Sequence, residues 1–395
     1  MNICFLSRVI FTHEIGGMQH HAQMLSEGMS RLGHTVTVIT ASNRTGVTEE
    51  FVNGVTIHYL KGVGYKRYSR AFWKQSYKKI IALNELNRFD VIFAESTSAY
   101  GLIKYKFKKK YKIPIISFVH GSSLGEVRST LKQSFKFSTI PMILYYLYGY
   151  ITYSLLSLLY SDLIICISEQ LINITKNEYP LVTKERIIFE PNGVDGNRFK
   201  PVSVIKSKNE HVLLSIGRLS EQKGFHIVIS ILPDLIKKLG PIKYYIAGVG
   251  DYQVKLQDLA NRLNVTDSVI FLGAVKNEDL NYYYNLADVY VLPSIGNEGF
   301  PFVIFEAMAC AKPIITANLG SIPFVIKQDE NGILVRPGDS RGFKRSIFRV
   351  IENPDLSRKL GSKAREAFLN KFEFNKILQN IVNIGERLSN RFRDP

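Results

Sequence analysis

Short apolar runs alternate with longer amphipathic stretches through the first half of the chain. The runs are rich in β-branched residues, which is typical of strands buried on both faces of a parallel sheet. Their sequences are NICFLS, TVTVIT, DVIFAES, IPIISFVH and DLIICIS. The stretch after the first run, Met18 to Leu32, has helical periodicity. This alternation predicts an α/β domain with helices on both faces of a parallel sheet.

The same alternation begins again in the second half of the chain. Pro201 to Glu210 is polar and lacks periodicity, so we interpret it as a linker between domains. The strand-like runs that follow are HVLLSIGRL, IKYYIAGVG, VIFLGAV, ADVYVLPS, PIITAN and GILVRP. An amphipathic stretch from about Phe372 ends the chain. We predict two α/β domains, residues 1–200 and 201–371, and a final helix over 372–395.

The segment Ile140 to Tyr160 does not fit this scheme, because it carries no charged residue at all. Its length is sufficient to cross a bilayer, for which about 20 apolar residues are needed. Pro141, Gly149, two serines and six tyrosines dilute its apolar character. Three interpretations stay open: a core helix packed under the sheet, an interfacial helix that contacts a membrane, and a true membrane span.

Composition and charge narrow the class of partner. The chain has 395 residues and a formal net charge of +17, which favours an anionic partner such as a phosphorylated substrate, anionic lipid or nucleic acid. The densest basic run is KYKFKKKYK, Lys104 to Lys112, for which a solvated helix end is an equal alternative. The three cysteines lie in apolar runs without metal-ligand spacing, and no N-terminal signal is visible, so we expect a reducing compartment.

Two polar stretches at predicted strand ends of the first half are candidates for a site. HEIGGMQHHAQML follows the first strand and opens a helix, so Gly16 and Gly17 would let the backbone and the helix N-terminus approach a phosphate. A tight turn that needs glycine is an equal alternative, and the dinucleotide fingerprint GxGxxG is absent. His120, in FVHGSS, ends an apolar strand where ligands bind in open α/β sheets, although a lone histidine there is more often structural.

The stretch SIGRLSEQKGFHIVI places two cations at a strand end of the second half. Arg218 follows the strand at once, and Lys223 stands just before a helix that begins at Gly224. Two such cations, with backbone donors, could clamp a diphosphate through charge-assisted hydrogen bonds. An exposed pair on a surface loop is the alternative.

The stretch EGFPFVIFEAMAC places two acids in sequence that otherwise suits burial. Glu298 lies in a loop and Glu306 lies eight positions later in a predicted helix from Phe302 to Ala309, so both would face one side of the helix entrance. A carboxylate accepts two hydrogen bonds, which suits the vicinal hydroxyls of a sugar or a ribose. Helix capping would explain Glu298 alone, whereas a buried Glu306 needs a polar partner.

Together these motifs resemble the family 4 glycosyltransferases of the GT-B fold, and the resemblance covers essentially the whole chain. The matching segments occur in the order that the family shows. They are the GG…H loop, FVHG, SEQLIN, EPNGVDGNRFKP, SIGRLSEQKGF, AGVGD, FLGAV, ADVYVLPSIGNEGFPFVIFEAMACAKPII and NGILVRPGD. The resemblance implies two Rossmann-like domains that face each other across a cleft, with the final helix crossing back to the first domain.

The family's roles carry over to matching positions. Arg218 and Lys223 would hold the diphosphate of a nucleotide sugar, Glu306 the ribose hydroxyls, Glu298 the transferred sugar, and His120 would lie near the reaction centre. The implied catalytic residues are His120, Glu298, Arg218 and Lys223. The implied donor-binding residues are Gly16, Gly17, Asn192, Arg218, Lys223, Gly248, Val275, Glu298, Gly299, Phe300, Pro301 and Glu306. No DxD metal motif stands out, so we expect neither a metal nor a cofactor.

The sequence departs from the family pattern at two positions. Gly121 follows His120 where the family often has Asp, which leaves acceptor activation less certain, and Ala311 stands where Gly is usual. The family retains anomeric configuration, and no acid here is an obvious covalent nucleophile. The resemblance therefore favours a front-face displacement in which the leaving diphosphate helps to deprotonate the acceptor.

These inferences predict a retaining hexosyltransferase that uses a nucleotide-diphosphate sugar, expected to be UDP-linked. The expected acceptor is a glycan or a lipid-linked molecule of cell-surface polysaccharide or lipopolysaccharide synthesis. The expected location is the cytoplasm, at the inner face of the membrane, with contact to anionic lipid and none to nucleic acid. The alternatives are another GT-B enzyme, such as a sugar-nucleotide epimerase or phosphorylase, and a non-catalytic basic scaffold that binds membrane or nucleic acid.

Overall fold

A computed structural model describes residues 1–10, 12–13, 17–43, 45–122, 124–125, 140–207, 209–296, 298 and 302–393. The chain divides into two compact units, which we call unit 1 (Met1–Pro191 with Asn375–Pro395) and unit 2 (Asn192–Phe374). The predicted boundary followed residue 200, and the structure divides the chain earlier. The reason is that Val194 exchanges backbone hydrogen bonds with Phe372 and Phe374, and that Phe199 packs into the core of unit 2.

Unit 1 contains one sheet of eight strands. The strands are β1 (Asn2–Leu6), β2 (Thr35–Ala41), β3 (Glu49–Val52), β4 (Val55–Leu60), β5 (Val91–Glu95), β6 (Ile115–Val119), β7 (Leu163–Cys166) and β8 (Ile187–Phe189). Their order is β3-β4-β2-β1-β5-β6-β7-β8. Every pair is parallel except β3 with β4. All residues of β5 and β6 are buried, which agrees with their largely apolar sequences.

The hairpin that β3 and β4 form was not predicted from the sequence. Its strands meet at Asn53 and Gly54, which both have positive φ (51° and 79°). Two such residues form the tight turn that matches the twist of a hairpin, and Asn-Gly is its usual sequence. The sequence VNGV between apolar residues is therefore the signal in the chain that predicts this hairpin.

The helices of unit 1 cover the sheet and connect its strands. They are α1 (Gly17–Arg31), α2 (Arg70–Leu86), α3 (Tyr100–Lys104), α4 (Phe107–Tyr111), α5 (Ile140–Gly149), α6 (Leu155–Tyr160), α7 (Glu169–Glu178) and α15 (Phe374–Arg393). Ser69 and Ser168 cap α2 and α7, because their side chains accept hydrogen bonds from backbone N–H groups of the first turn. The C-terminal α15 belongs to unit 1, where Arg393 pairs with Asp90.

The uncharged segment 140–160 forms α5, a π-helical turn (Tyr150–Ser154) and α6, and it leads into β7. Ser157 and Leu158 of α6 are buried, whereas Leu144, Tyr148 and Ile151 are more than half exposed. The expectation of a core helix therefore holds for only part of the segment. In the described part of the chain, no helix combines the length and apolar character that crossing a membrane requires.

Unit 2 contains a parallel sheet of six strands. They are β9 (His211–Ile216), β10 (Ile242–Ala247), β11 (Val269–Gly273), β12 (Val289–Leu292), β13 (Ile314–Ala317) and β14 (Ile333–Val335). Their order is β11-β10-β9-β12-β13-β14. The helices are α8 (Phe225–Leu239), α9 (Gln253–Arg262), α10 (Leu280–Leu286), α11 (Phe302–Ala309), α12 (Ile322–Val325), α13 (Ser340–Glu352) and α14 (Pro354–Lys371). Two apolar cores lie against this sheet.

Each sheet has a point where the order of its strands reverses. In unit 1 the chain runs from β1 to β2 on one side and later to β5 on the other. In unit 2 it runs from β9 to β10 and later to β12 on the opposite side. Ligands of open α/β sheets bind outside the carboxyl ends of the strands at such switch points. The fold therefore singles out the ends of β1 and β5 in unit 1, and of β9 and β12 in unit 2.

Candidate active site

The switch point of unit 2 brings Lys223 and Glu298 together. Nζ of Lys223 lies 2.7 Å from Oε1 of Glu298, and Ser294 Oγ donates a hydrogen bond to the same oxygen. Lys223 ends a 3₁₀ turn after β9, and Ser294 and Glu298 follow β12. Glu298 is only 6% exposed, so the ammonium and the hydroxyl stabilise a carboxylate that burial alone would destabilise. Both residues were predicted site residues, and the structure joins them directly.

Glycines let the backbone pack tightly at this switch point. Gly224 has φ 70°, and a Cβ atom there would lie 2.0 Å from the carbonyl oxygen of Pro293, at the end of β12. Gly248 follows β10 with φ 140°, and a Cβ atom there would lie 1.9 Å from the carbonyl oxygen of Gly217. Only glycine fits these contacts, which hold the loops after three neighbouring strands against one another.

Glu306 lies deeper in unit 2, on the interior side of α11. The hydroxyl of Tyr284 donates a hydrogen bond of 2.7 Å to its Oε2 atom, which supplies the polar partner that a buried acid needs. Burial raises the pKa of Glu306 to about 7, although the hydrogen bond from Tyr284 and the charge of Arg198 act to lower it. Glu306 is therefore poised between its neutral and charged forms near neutral pH.

Tyr290, in β12, is a buried residue whose pKa is affected by both acids. Its pKa is raised well above the usual value by burial first, and then by the negative charges of Glu306 and Glu298. The predicted pair of acids therefore flanks one buried tyrosine, while each acid has its own hydrogen-bond partner.

The other predicted donor residues of unit 2 differ in their burial and contacts. Arg218 follows β9, is exposed, and forms an ion pair with no described residue. Asn192 is 3% exposed, and its Oδ1 atom accepts a hydrogen bond from no described residue. Val275 is half-buried just beyond β11. It packs against the apolar core that includes residues of α11, the helix that carries Glu306. Gly299, Phe300 and Pro301 lie outside the described residues.

The switch point of unit 1 contains a buried carboxylate that the sequence analysis missed. Glu95 is the last residue of β5 and is fully buried. Its Oε1 atom lies 2.9 Å from Nδ1 of His21, on α1, and its Oε2 atom contacts Nε2 of His120, just beyond β6. The predicted His120 is thus one member of a cluster of three. Gly16 lies outside the described residues, and Gly17 is the first residue of α1.

The charges within this cluster follow from burial and proximity. Burial acts to raise the pKa of Glu95, but His120 and His21 outweigh it and hold the pKa at about 2, so the carboxylate is ionised. Burial lowers the pKa of His21, and the attraction of Glu95 offsets this only in part. A neutral His21 must carry its proton on Nδ1 to donate to Glu95. The signals in the sequence were a charged residue ending the strand VIFAE and the paired histidines of QHHAQ.

Two family models match the chain in succession. Residues 15–198 match the model described as Glycosyltransferase Family 4, and residues 197–367 match the model described as Glycosyl transferases group 1. The chain belongs to the family 4 and group 1 glycosyltransferases. This membership confirms the resemblance drawn from the motifs, and it makes the two switch points the natural candidates for substrate binding.

Relatives of this glycosyltransferase span its length or part of it. An uncharacterized glycosyltransferase of Methanocaldococcus jannaschii is 26% identical over 388 residues, which cover 94% of each chain. The Escherichia coli glycosyltransferase WcaL, whose name refers to colanic acid biosynthesis, is 27% identical over 212 residues, which cover 52% of each chain. These similarities support the family and leave the substrates open.

Solved structures share the GT-B fold of this glycosyltransferase. A sucrose-phosphate synthase from Thermosynechococcus elongatus matches with a TM-score of 0.78 and 20% identity, over 98% of this chain and 99% of the other. HepE of Anabaena, solved with UDP-glucose, matches with 0.70 and 19% identity, over 97% and 99%. WaaG, a glycosyltransferase involved in lipopolysaccharide biosynthesis, matches with 0.68 and 16% identity, over 97% and 99%. At these identities the likeness establishes the fold alone.

Proposed function

We propose that this glycosyltransferase is a retaining hexosyltransferase that transfers a sugar from a nucleotide-diphosphate sugar, with UDP as the expected nucleotide. The proposed acceptor is a glycan or lipid-linked molecule in the synthesis of cell-surface polysaccharide or lipopolysaccharide. The observation that carries the proposal is the contact of Lys223 with Glu298 at the switch point of unit 2. This contact supports the proposal, because an ammonium can bind a phosphate and a carboxylate can accept hydrogen bonds from sugar hydroxyls.

The donor would replace contacts that the protein makes with itself. Lys223 has three N–H donors, so it can bind a diphosphate oxygen while it keeps or loosens its contact with Glu298. Arg218 lies five positions before Lys223 in the sequence and is exposed. Its planar guanidinium group adds a second cation with several N–H donors. Tyr284 donates to Oε2 of Glu306, so Oε1 can accept hydrogen bonds from ribose hydroxyls. In this scheme, Lys223 and Arg218 bind the diphosphate and no metal ion is required for that purpose.

The proposed reaction is a front-face displacement. The bond between the anomeric carbon and the diphosphate oxygen breaks, and the acceptor oxygen bonds to the same face of that carbon. The acceptor proton passes to the departing diphosphate. Glu298 is a poor covalent nucleophile, because it is buried and both an ammonium and a hydroxyl hold one of its oxygens. The main task of Lys223 and Arg218 is therefore to stabilise charge that develops on the leaving group.

A screen of nucleotide sugars by thermal stabilisation tests the donor. UDP-glucose is the first candidate, because HepE was solved with it, and UDP-galactose, UDP-N-acetylglucosamine and GDP-mannose complete the set. A donor present at a hundred times its Kd should stabilise the folded protein by about 2.7 kcal/mol. Glu306→Ala should lose that response. Lys344→Ala, which removes an ion-paired lysine of α13, should keep it.

The other outcomes of this screen decide between the alternatives. Stabilisation by no nucleotide sugar would contradict the proposal, and strong, salt-sensitive DNA binding without an effect of UDP would favour the basic scaffold. An epimerase would instead convert the donor without any acceptor. The anomeric configuration of the product, read by NMR coupling constants, separates a retaining from an inverting transfer.

We propose further that unit 1 contacts an anionic membrane surface. Leu144, Tyr148, Ile151 and Tyr160 of the segment 140–160 are more than half exposed. The basic run from Lys104 to Lys112 is adjacent, because Lys108 donates to the backbone carbonyl of Tyr160. Its lysines 104, 106, 109, 110 and 112 are exposed. Apolar side chains beside a cationic patch suit interfacial binding, in which each lysine contributes about 1 kcal/mol.

Sedimentation with lipid vesicles tests this contact. Vesicles rich in phosphatidylglycerol should carry the protein into the pellet, and phosphatidylcholine vesicles should not. The double variant Leu144→Ser with Ile151→Ser should weaken binding at least tenfold. Leu86→Ser, at an 84% exposed leucine of α2, serves as the matched control. Protein that stays in the supernatant with anionic vesicles at physiological salt would contradict the proposal.

A further inference from the structure

Glu95 is a buried carboxylate whose two oxygens each face a different imidazole. Nδ1 of His21 lies 2.9 Å from Oε1, and Nε2 of His120 contacts Oε2. The imidazole rings of His21 and His120 stand edge to face, with centroids 4.9 Å apart. Since Glu95 has no exposed surface, its charge depends on these two donors.

The backbone around Glu95 is held as firmly as its side chain. Its carbonyl oxygen accepts hydrogen bonds from Tyr68 Oη at 2.9 Å, from Ser98 N at 3.1 Å and from Ser98 Oγ. The next residue, Ser96, has φ 52°, a left-handed conformation that is unfavourable for a non-glycine residue. Strain of this kind persists only where the surroundings impose it, and it is concentrated at functional sites.

A metal ion is one explanation for two histidines and a glutamate together, because their ligand atoms lie within 4.8 Å of one another. The contacts of the ring nitrogens favour hydrogen bonds instead. The two ring nitrogens meet different carboxylate oxygens in hydrogen-bond contact, which requires a proton on each nitrogen.

We infer that Glu95 is a positioning residue that fixes His120 with its proton on Nε2 and leaves Nδ1 as a hydrogen-bond acceptor for a substrate hydroxyl. No described residue bonds to Nδ1 of His120, and the side chain is 12% exposed, so a ligand can reach it. His21 occupies the other oxygen of Glu95 and so prevents the carboxylate from rotating. This inference deepens the proposed function and rests on it, because the hydroxyl belongs to one of the sugar substrates.

The contact with Glu95 selects one tautomer of His120, which His120 alone would not favour. A neutral imidazole exists as two tautomers, and a carboxylate that accepts from one nitrogen selects the tautomer with the proton there. Without Glu95, the proton on His120 would be free to move to Nδ1. That atom would then repel a hydroxyl oriented to donate, and the substrate would lose its hydrogen bond.

Nitrogen NMR of the full-length protein tests the tautomer without any substrate. Uniform ¹⁵N labelling and long-range proton–nitrogen correlation at pH 8 distinguish the two ring nitrogens, and His120→Gln identifies the signals of His120. We expect a protonated Nε2 and an unprotonated Nδ1 in the wild type. A proton on Nδ1, alone or in addition to one on Nε2, would overturn the inference. This measurement needs no variant of Glu95, so it remains decisive if such variants fold poorly.

Glu95→Gln then tests the cause. The amide keeps the shape of the side chain but has no charge and only one acceptor oxygen, so it holds Nε2–H of His120 less strongly and the tautomer population of His120 should shift toward Nδ1–H. Glu50→Gln, at another hydrogen-bonded glutamate of unit 1, should leave it unchanged. With the donor found by the screen, Glu95→Gln should lower kcat at least tenfold and leave the Kd for UDP unchanged.

The remaining outcomes separate this inference from the proposed function. An unchanged tautomer in Glu95→Gln would overturn the positioning role, as would one equivalent of zinc that copurifies with the wild type and is lost in the variant. Absence of transfer with every donor, together with the expected tautomer shift, would contradict the proposed function while it upheld the role of Glu95 toward His120.

Discussion

The two switch points of this glycosyltransferase both hold a buried carboxylate, but different partners contact it. In unit 1, Glu95 faces the imidazoles of His21 and His120. In unit 2, Glu298 faces the ammonium of Lys223. A lysine ammonium is a positive charge with three donors and no acceptor, whereas a neutral imidazole has one donor and one acceptor nitrogen.

This difference indicates a division of labour. A permanent positive charge suits the binding of a diphosphate, whose own charge is also permanent. An imidazole held by a carboxylate is better suited to a directed hydrogen bond with a neutral hydroxyl, because its orientation and tautomer are fixed. The comparison therefore predicts that variants of unit 2 act on donor charge and variants of unit 1 act on hydroxyl recognition.

Removing the fixed charge of unit 2 should have the largest effect. Lys223→Ala leaves Glu298 buried without its ammonium and removes a donor to the leaving group. Loss of one such donor costs roughly 3 kcal/mol of barrier, so kcat should fall about a hundredfold in a steady-state assay with the identified donor. Near-normal transfer would show that the donor binds elsewhere, and Lys344→Ala should be unaffected.

Glu306 offers the next largest effect, on stability and its pH dependence. The folded pKa is about 7 and the ordinary value is 4.5, so the native state holds a proton that the unfolded state releases between these values. Stability should therefore fall as pH rises from about 4.5 to about 7. Glu306→Gln cannot ionise, so it should raise the free energy of unfolding at pH 8 by up to about 3 kcal/mol.

The same substitution should have little effect on stability at pH 4, where the native carboxyl is already protonated. Urea unfolding at pH 4, 6 and 8 measures the difference, with Glu278→Gln at an exposed position as the control. A constant difference across these pH values would show that Glu306 does not titrate there. The variant should nevertheless bind UDP more weakly, as expected where function maintains a destabilising charge.

The sequence predicted unit 2 better than unit 1 for a physical reason. Glu298 and Glu306 are eight positions apart, so the periodicity of one local segment relates them. The partners of Glu95 lie 74 and 25 residues away in the chain, and only the parallel order of β1, β5 and β6 brings them together. Buried strands were recognisable from apolar runs, whereas contacts between strand ends depend on strand order, which those runs leave undetermined.

The hydrogen bond from Tyr284 to Glu306 should have an intermediate effect. Because this bond acts to lower the pKa of Glu306, Tyr284→Phe should raise that pKa further. The affinity for UDP, which falls as Glu306 becomes protonated, should then begin to fall at a higher pH. Stability should fall by about 1 kcal/mol. Calorimetric titration with UDP from pH 6 to pH 9 measures the shift. Tyr282→Phe, at an exposed neighbour on α10, is the matched control, and an equal shift in both variants would contradict the role of Tyr284.

The smallest effect should come from the strained backbone at the end of β5. After β9 and β10, unit 2 has glycines at positive φ, Gly217 and Gly248, whereas unit 1 places Ser96 at φ 52° directly after Glu95. Ser96→Gly relieves the strain but increases the conformational entropy of the unfolded chain, so the net gain should be at most about 1 kcal/mol. Ser96→Ala keeps the strain and removes only the hydroxyl, so it should not share that gain. If glycine stabilises no more than alanine in urea unfolding, the left-handed conformation costs little, and the strain supports no argument about Glu95.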